Sequence, residues 1–174
     1  MAKRIFNTNL TWATQALNVA VTGANSMNIQ GITTTQVIDW DEVLISGQDS
    51  ASVIGNFLVV PMSTMGATFT ALVAPNSDGA MQSGATPVIQ NSYIAATTEP
   101  VASNAITAPH INLGLNTFGG IIRWNAAPTQ QFTTVGSAVF AAGPPTTFGG
   151  AILLNNSTTG ASAKAVAHII YEPY

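Results

Sequence analysis

The apolar residues of this chain come in short runs that turn residues cut off. Phe57-Leu58-Val59-Val60 lies between Asn56 and Pro61, and Ala151-Ile152-Leu153-Leu154 lies between Gly150 and Asn155. A helix that packs on a core needs an apolar stripe sustained over several turns. Fifteen glycines and nine prolines, spread along the sequence, deny it that length. What remains is a period of two. Ile111, Leu113 and Leu115 alternate with Asn112 and Gly114, as Leu17, Val19 and Val21 do with Asn18 and Ala20. Ile38 and Trp40 share a face opposite Asp39 and Asp41. The longest alternation puts Ala163, Ala165, Ala167, Ile169 and Tyr171 on one face and Lys164, Val166, His168 and Ile170 on the other. Such segments, with turns roughly every 8 to 20 residues, predict an all-β chain of about eight to ten short strands, a β-sandwich or jelly-roll.

Turn chemistry sets the expected boundaries. Pro61 closes the strand that begins at Phe57, and Ala74-Pro75-Asn76-Ser77-Asp78-Gly79 closes one over 68–73. Further strands are expected at 121–124, 131–135 and 151–154, and a long surface loop over 77–91. Residues 12–17 have room for one helical turn at most. No fixed-period repeat suggests a solenoid or propeller. The expected organisation is an N-terminal arm over residues 1–12, followed by one β-sandwich domain over 13–174.

Charge narrows the function. Lys, Arg, Asp and Glu make up 6% of the 174 residues, against roughly a quarter in ordinary soluble proteins. A surface of Thr, Ser, Asn, Gln and small apolar groups costs little to desolvate, so it suits a protein whose surface becomes interface. Disorder goes with low hydrophobicity and high net charge, whereas this chain is 47% hydrophobic with a net charge of −3. No stretch approaches the roughly 20 apolar residues of a spanning helix. The basic start, Lys3 and Arg4, leads into no long apolar region, so no secretory signal is expected and the two Asn-x-Thr/Ser matches read as accidents of composition. Cysteine is absent, which excludes disulfides and thiolate chemistry.

Constellations for chemistry are sparse. Asp39, Asp41, Glu42 and Asp49 fall within eleven residues, but their spacing is not that of an EF-hand loop, and a solvated strand face running into a loop is the favoured account. His110 and His168 belong to no metal or triad motif and are expected in structural roles; G-x-S-x-G is absent. Thr117-Phe118-Gly119-Gly120 and Thr147-Phe148-Gly149-Gly150 are near-duplicates without the Lys-Ser/Thr of a phosphate loop. Their expected role is a sharp Gly-Gly turn with Phe plugging an end of the sandwich. Four basic residues, Lys3, Arg4, Arg123 and Lys164, make no nucleic-acid footprint. The expectation is a protein with no catalytic centre, no metal, no cofactor, and neither nucleic acid nor membrane as partner.

The unsignalled start Met1-Ala2-Lys3-Arg4-Ile5-Phe6-Asn7, the Thr/Ala/Gly/Asn-rich body, the segment Gly149-Gly150-Ala151-Ile152-Leu153-Leu154-Asn155-Asn156 and the ending Val166-Ala167-His168-Ile169-Ile170-Tyr171 together resemble the decoration, or cement, proteins of tailed-bacteriophage heads. The resemblance covers the chain diffusely and carries no diagnostic motif. It implies a β-sandwich or jelly-roll body, often trimeric, seated on the major capsid protein at the surface of a virion made in the host cytoplasm. Lys3, Arg4, Ile5 and Phe6, which combine charge with apolar anchors, are then the candidate shell contacts, with a first strand of the protein's own sheet, Ile5 in the core, as the alternative for residues 1–9. A coat or fibre-tip protein has similar composition. A β-sandwich lectin, with Trp12, Trp40 or Trp124 as sugar platform, is the alternative from another class, although core packing is the better account of Trp40 and Trp124.

Overall fold

A computed structural model describes residues 4–14, 26–30, 37–64, 70–71, 88–92, 101–102, 111–127, 132–135, 149–155 and 162–173. They form β1 (Arg4–Ala13), β2 (Ser26–Gln30), β3 (Val37–Gly47), β4 (Ile54–Thr64), β5 (Thr70–Ala71), β6 (Val88–Ser92), β7 (Val101–Ala102), β8 (Ile111–Asn116), β9 (Ile121–Asn125), β10 (Phe132–Val135), β11 (Gly149–Leu154) and β12 (Ser162–Pro173). There is no helix among the described residues. One sheet runs β1-β12-β3, with β9 and β10 both beyond β3. The other runs β5-β6-β2-β11-β4, with β8 and β7 both beyond β4.

Without β5, β6, β7 and β10, the order is β1-β12-β3-β9 in one sheet and β2-β11-β4-β8 in the other, all antiparallel. Except from β4 to β8, each step along the chain through these eight strands crosses to the opposite sheet. That interleaving is the jelly-roll form of the β-sandwich. The four strands beyond this eight-strand frame raise the count among the described residues to twelve, above the expected eight to ten. Two of them, β5 and β7, are two-residue pairings, and β6 begins within the stretch expected to be a loop and ends one residue beyond it.

The core fills the space between the sheets. Ile38, Trp40, Val43 and Ile45 of β3 and Ala163, Ala165, Ala167, Ile169 and Tyr171 of β12 meet Met27, Ile29, Phe57, Val59, Ile152 and Leu154 from across. The three alanines leave room for large rings. The buried Trp12 packs edge-on to Phe57 with ring centroids 5.4 Å apart, and its indole Nε1–H donates to the Ala165 carbonyl at 3.2 Å. Leu58, Val60, Ala151 and Leu153, on the other face of β4 and β11, are buried as well. Burial on both faces explains why these two strands read as unbroken apolar runs instead of alternating.

Two details of β3 and β4 depart from simple strand rules. Along β3 the buried residues are first Ile38 and Trp40, then Val43 and Ile45, so the alternation slips by one. Tyr171 pairs with Trp40 and Ile170 with Glu42, leaving Asp41 as the extra residue of a β-bulge. Its carbonyl accepts a hydrogen bond from the Ala126 N–H at 2.8 Å. The bulge returns the second half of β3 to the core face. In β4, Pro61 does not end the strand, which continues to Thr64. Pro61 pairs with Gly150 on one side. On the other it falls in the gap between the Val59–Ile111 pair of β8 and the Met62–Ala102 pair of β7, where the ladder asks for no donor.

Candidate docking face

The expected arm is, from Arg4 onward, a strand. Arg4 pairs with Tyr171, Ile5 with Ile170 and Phe6 with Ile169, and the ladder continues without a slip to Ala13 and Ser162. The boundary at residue 12 is therefore replaced by continuous strand through Ala13, and the strand alternative describes these residues. The physical reason is the match of two long extended segments, ten residues of β1 against β12, which satisfies backbone groups that a free arm leaves to water. Ile5, which that alternative puts in the core, is instead half-buried opposite Ile170 on the face away from it, because the alternation that turns Ile169 and Tyr171 inward turns Ile170 and its partner outward. Lys3 lies outside the described residues.

That outward face of β1-β12-β3-β9 is unusual in its chemistry. Read across the sheet, Asn9, Val166, Ser46 and Ile121 form one row, and Asn7, His168, Leu44 and Arg123 the next. A third row holds Ile5, Ile170, Glu42 and Asn125. Leu44, Val166, His168 and Ile170 are half-buried by their neighbours, and Ile121 is 70% exposed. Sheets that face water on one side normally alternate apolar-in with polar-out. Here aliphatic residues recur on the outer side too. Its charges lie mostly towards the ends: Arg123 and Glu42 pair at 2.6 Å, Asp39 and Glu172 sit opposite each other one row beyond Glu42, and Lys164 is exposed at the other end. The ion pair is open to solvent on the Arg123 side, which limits its worth to about 0–1 kcal/mol.

One end of the sandwich is knitted tightly. The β3–β4 connection and the β8–β9 turn each pass from one sheet to the other there. The Gly47 N–H donates to the Gly120 carbonyl, the Asp49 N–H to Thr117 and the Thr117 N–H to Val53. The buried Thr117 hydroxyl lies 2.5 Å from an Asp49 carboxylate oxygen and 3.0 Å from the Val53 carbonyl. The same carboxylate oxygen accepts the Lys164 N–H at 3.0 Å. Asp49 thus ties both sheets together, while Asp39, Asp41 and Glu42 lie along β3. Among the described residues no three acidic or histidine side chains gather. Gly119 has φ 77°, as the expected sharp turn requires. Phe118, expected to plug the sandwich, is instead 60% exposed beside it, and Ile54 is 76% exposed on the neighbouring strand. The second near-duplicate differs again, since Gly149 and Gly150 open β11 and pair on both sides.

Trp12 and Trp40 are buried in the core and present no face to a sugar; Trp124 is half-buried against the same core. His168 holds the middle of the outer face, between Asn7 and Leu44. His110 and residues 17–22 lie outside the described residues. The aliphatic second face of β12 was legible in the sequence, through Val166 and Ile170. Leu44 was hidden, because its side follows from the bulge at Asp41. Ile121 was hidden because nothing in a four-residue apolar segment says which side faces out.

No protein-family model, curated protein or solved structure matches this chain.

Proposed function

We propose that this chain is a non-enzymatic structural protein that docks on an assembled virus-type shell, in the manner of the capsid decoration proteins it resembles, and stabilises that shell. The observation that carries this reading is the outer face of β1-β12-β3-β9. Leu44, Val166, Ile170 and Ile121 stand where a sheet meeting only water carries polar groups, and the nearby Arg123 and Glu42 neutralise each other. Only 6% of the whole chain is charged, so covering this face strips few ions of water. The partner is the major capsid protein, and the chain acts as a homo-oligomer, a trimer by the resemblance, at the surface of the particle. No cofactor takes part. Binding the assembled shell and not its dissociated subunits shifts the equilibrium towards assembly, by about 2.7 kcal/mol per site at a hundredfold excess over Kd. Shallow contacts repeated over a lattice add through multivalency.

Pelleting the purified protein with empty heads, and in parallel with dissociated coat subunits, tests the reading. The expected result is co-pelleting with heads alone, weakened at least tenfold by Leu44→Glu with Val166→Glu. Failure to bind heads, or binding indifferent to both substitutions, overturns it.

A further inference from the structure

We propose that β1 joins two copies of this chain edge to edge, residues 4–10 pairing antiparallel with the same residues of a second copy across a two-fold axis. This keeps the self-association of the reading above but replaces its trimer with an even number of copies, and it does not depend on a shell being present.

Among the described residues β1 is the edge of its sheet, with β12 on its inner side. An edge strand offers a row of backbone donors and acceptors, and proteins block unwanted pairing by keeping such strands short, bulged, or marked with Lys or Pro. The other edges of this molecule follow that rule. Across the same sheet the edge is divided between β9, of five residues, and β10, of four, with the Asp41 bulge between them. In the second sheet one edge is β5, of two residues, and the other is divided between β8, of six, and β7, of two. β1 does not follow it. It runs ten residues, Arg-Ile-Phe-Asn-Thr-Asn-Leu-Thr-Trp-Ala, without proline and without a register slip. Its single charge, Arg4, is at the very start.

A second copy is the occupant that this strand fits best. Antiparallel pairing of a strand with itself is self-complementary in its hydrogen-bonding groups, as an isologous contact requires. It also carries Arg4 away from its own copy, to the neutral far end of the opposing strand. The neutral Asn7-Thr8-Asn9 centre has no like charges to oppose. The joined sheet has its outer faces on one side, so the Ile5–Ile170 row of each copy runs on into the Asn9–Val166 row of the other and the docking face doubles.

Lysine is the natural blocker of edge pairing, so Asn7→Lys with Asn9→Lys is the deciding variant. Both positions lie opposite the outward-facing His168 and Val166. In sedimentation equilibrium at micromolar concentration, the native chain is expected to have the mass of an even number of copies. The variant is expected at half that mass with an unchanged far-ultraviolet dichroism spectrum. The chain has no cysteine, so introduced thiols report without background. Asn7→Cys and Asn9→Cys proteins, oxidised separately and as a mixture, should cross-link between copies in at least one combination. An odd-numbered mass, or an even one that survives both lysines with no cross-link, overturns the proposal. A protein that pairs but ignores heads overturns only the shell reading. One that binds heads without pairing overturns only this one.

Discussion

Thr117 and Gly47 illustrate how much of this molecule rests on single contacts between backbones. A Cβ added to Gly47 would run into the backbone of Thr117, at its carbonyl oxygen and its Cα. Backbone cannot swing aside as the end of a side chain can, and Thr117 is already held by Asp49 and Val53. Gly47→Ala should therefore destabilise by about 1–3 kcal/mol, the usual cost of overpacking. That corresponds to a fall in Tm of roughly 3–10 °C for a chain of this size. Gly114→Ala is the control, because its added Cβ meets only the Asn56 side chain, at 3.9 Å. Thermal unfolding should separate the two clearly, with Gly114→Ala near the native value. None of this was visible in the sequence, where Gly47 follows Ser46 as an ordinary turn residue. The approach of two backbones from different sheets leaves no trace in composition.

Strand elements were far more legible than their partners. Period-two alternation identified the segments around β3, β8 and β12, and the buried face of β12 is the face the pattern marked. The slip in β3, from Ile38 and Trp40 to Val43 and Ile45, is present in the sequence too. Its meaning needed the bulge at Asp41, because a slip can equally mark the end of a strand. Pro61 misled for a related reason: whether a proline interrupts a ladder depends on which neighbour lies on its N–H side, and that is a property of the sheet. The bulge makes a sharp prediction. Deleting Asp41 takes out the extra residue, so Ile38, Trp40, Val43 and Ile45 fall on one face by simple alternation while the register with β12 is kept. What the deletion removes is the acceptor of the Ala126 N–H, a loss of about 0.5–1.5 kcal/mol, which a domain with about 5–15 kcal/mol of stability survives. The expected outcome is a folded protein with native near-ultraviolet dichroism and a slightly lowered Tm. An insoluble product, or one that has lost its tryptophan signals, would refute the assignment.

At the scale of the whole molecule the question is what the first strand belongs to. Removing residues 1–6 takes three pairs from the β1–β12 ladder, those of Arg4, Ile5 and Phe6 with Tyr171, Ile170 and Ile169. A detachable arm would leave Tm unchanged; a strand of the sheet should lower it by several degrees, and differential scanning calorimetry distinguishes the two. The same ladder joins residues far apart in the chain. Trp12 and Ala165, linked through the indole, are separated by 153 positions. During synthesis, then, β1 leaves the ribosome long before the strand that shelters it exists. Closing so long a loop is slow, and a waiting edge of this length is open to strangers. Nascent chains halted before Ser162 should stay sensitive to protease, and the sheet that includes β1 should close only after β12 has cleared the exit tunnel. Until β12 appears, the longest edge of the molecule has no partner within its own chain, and pairing between neighbouring nascent chains is the hazard that follows.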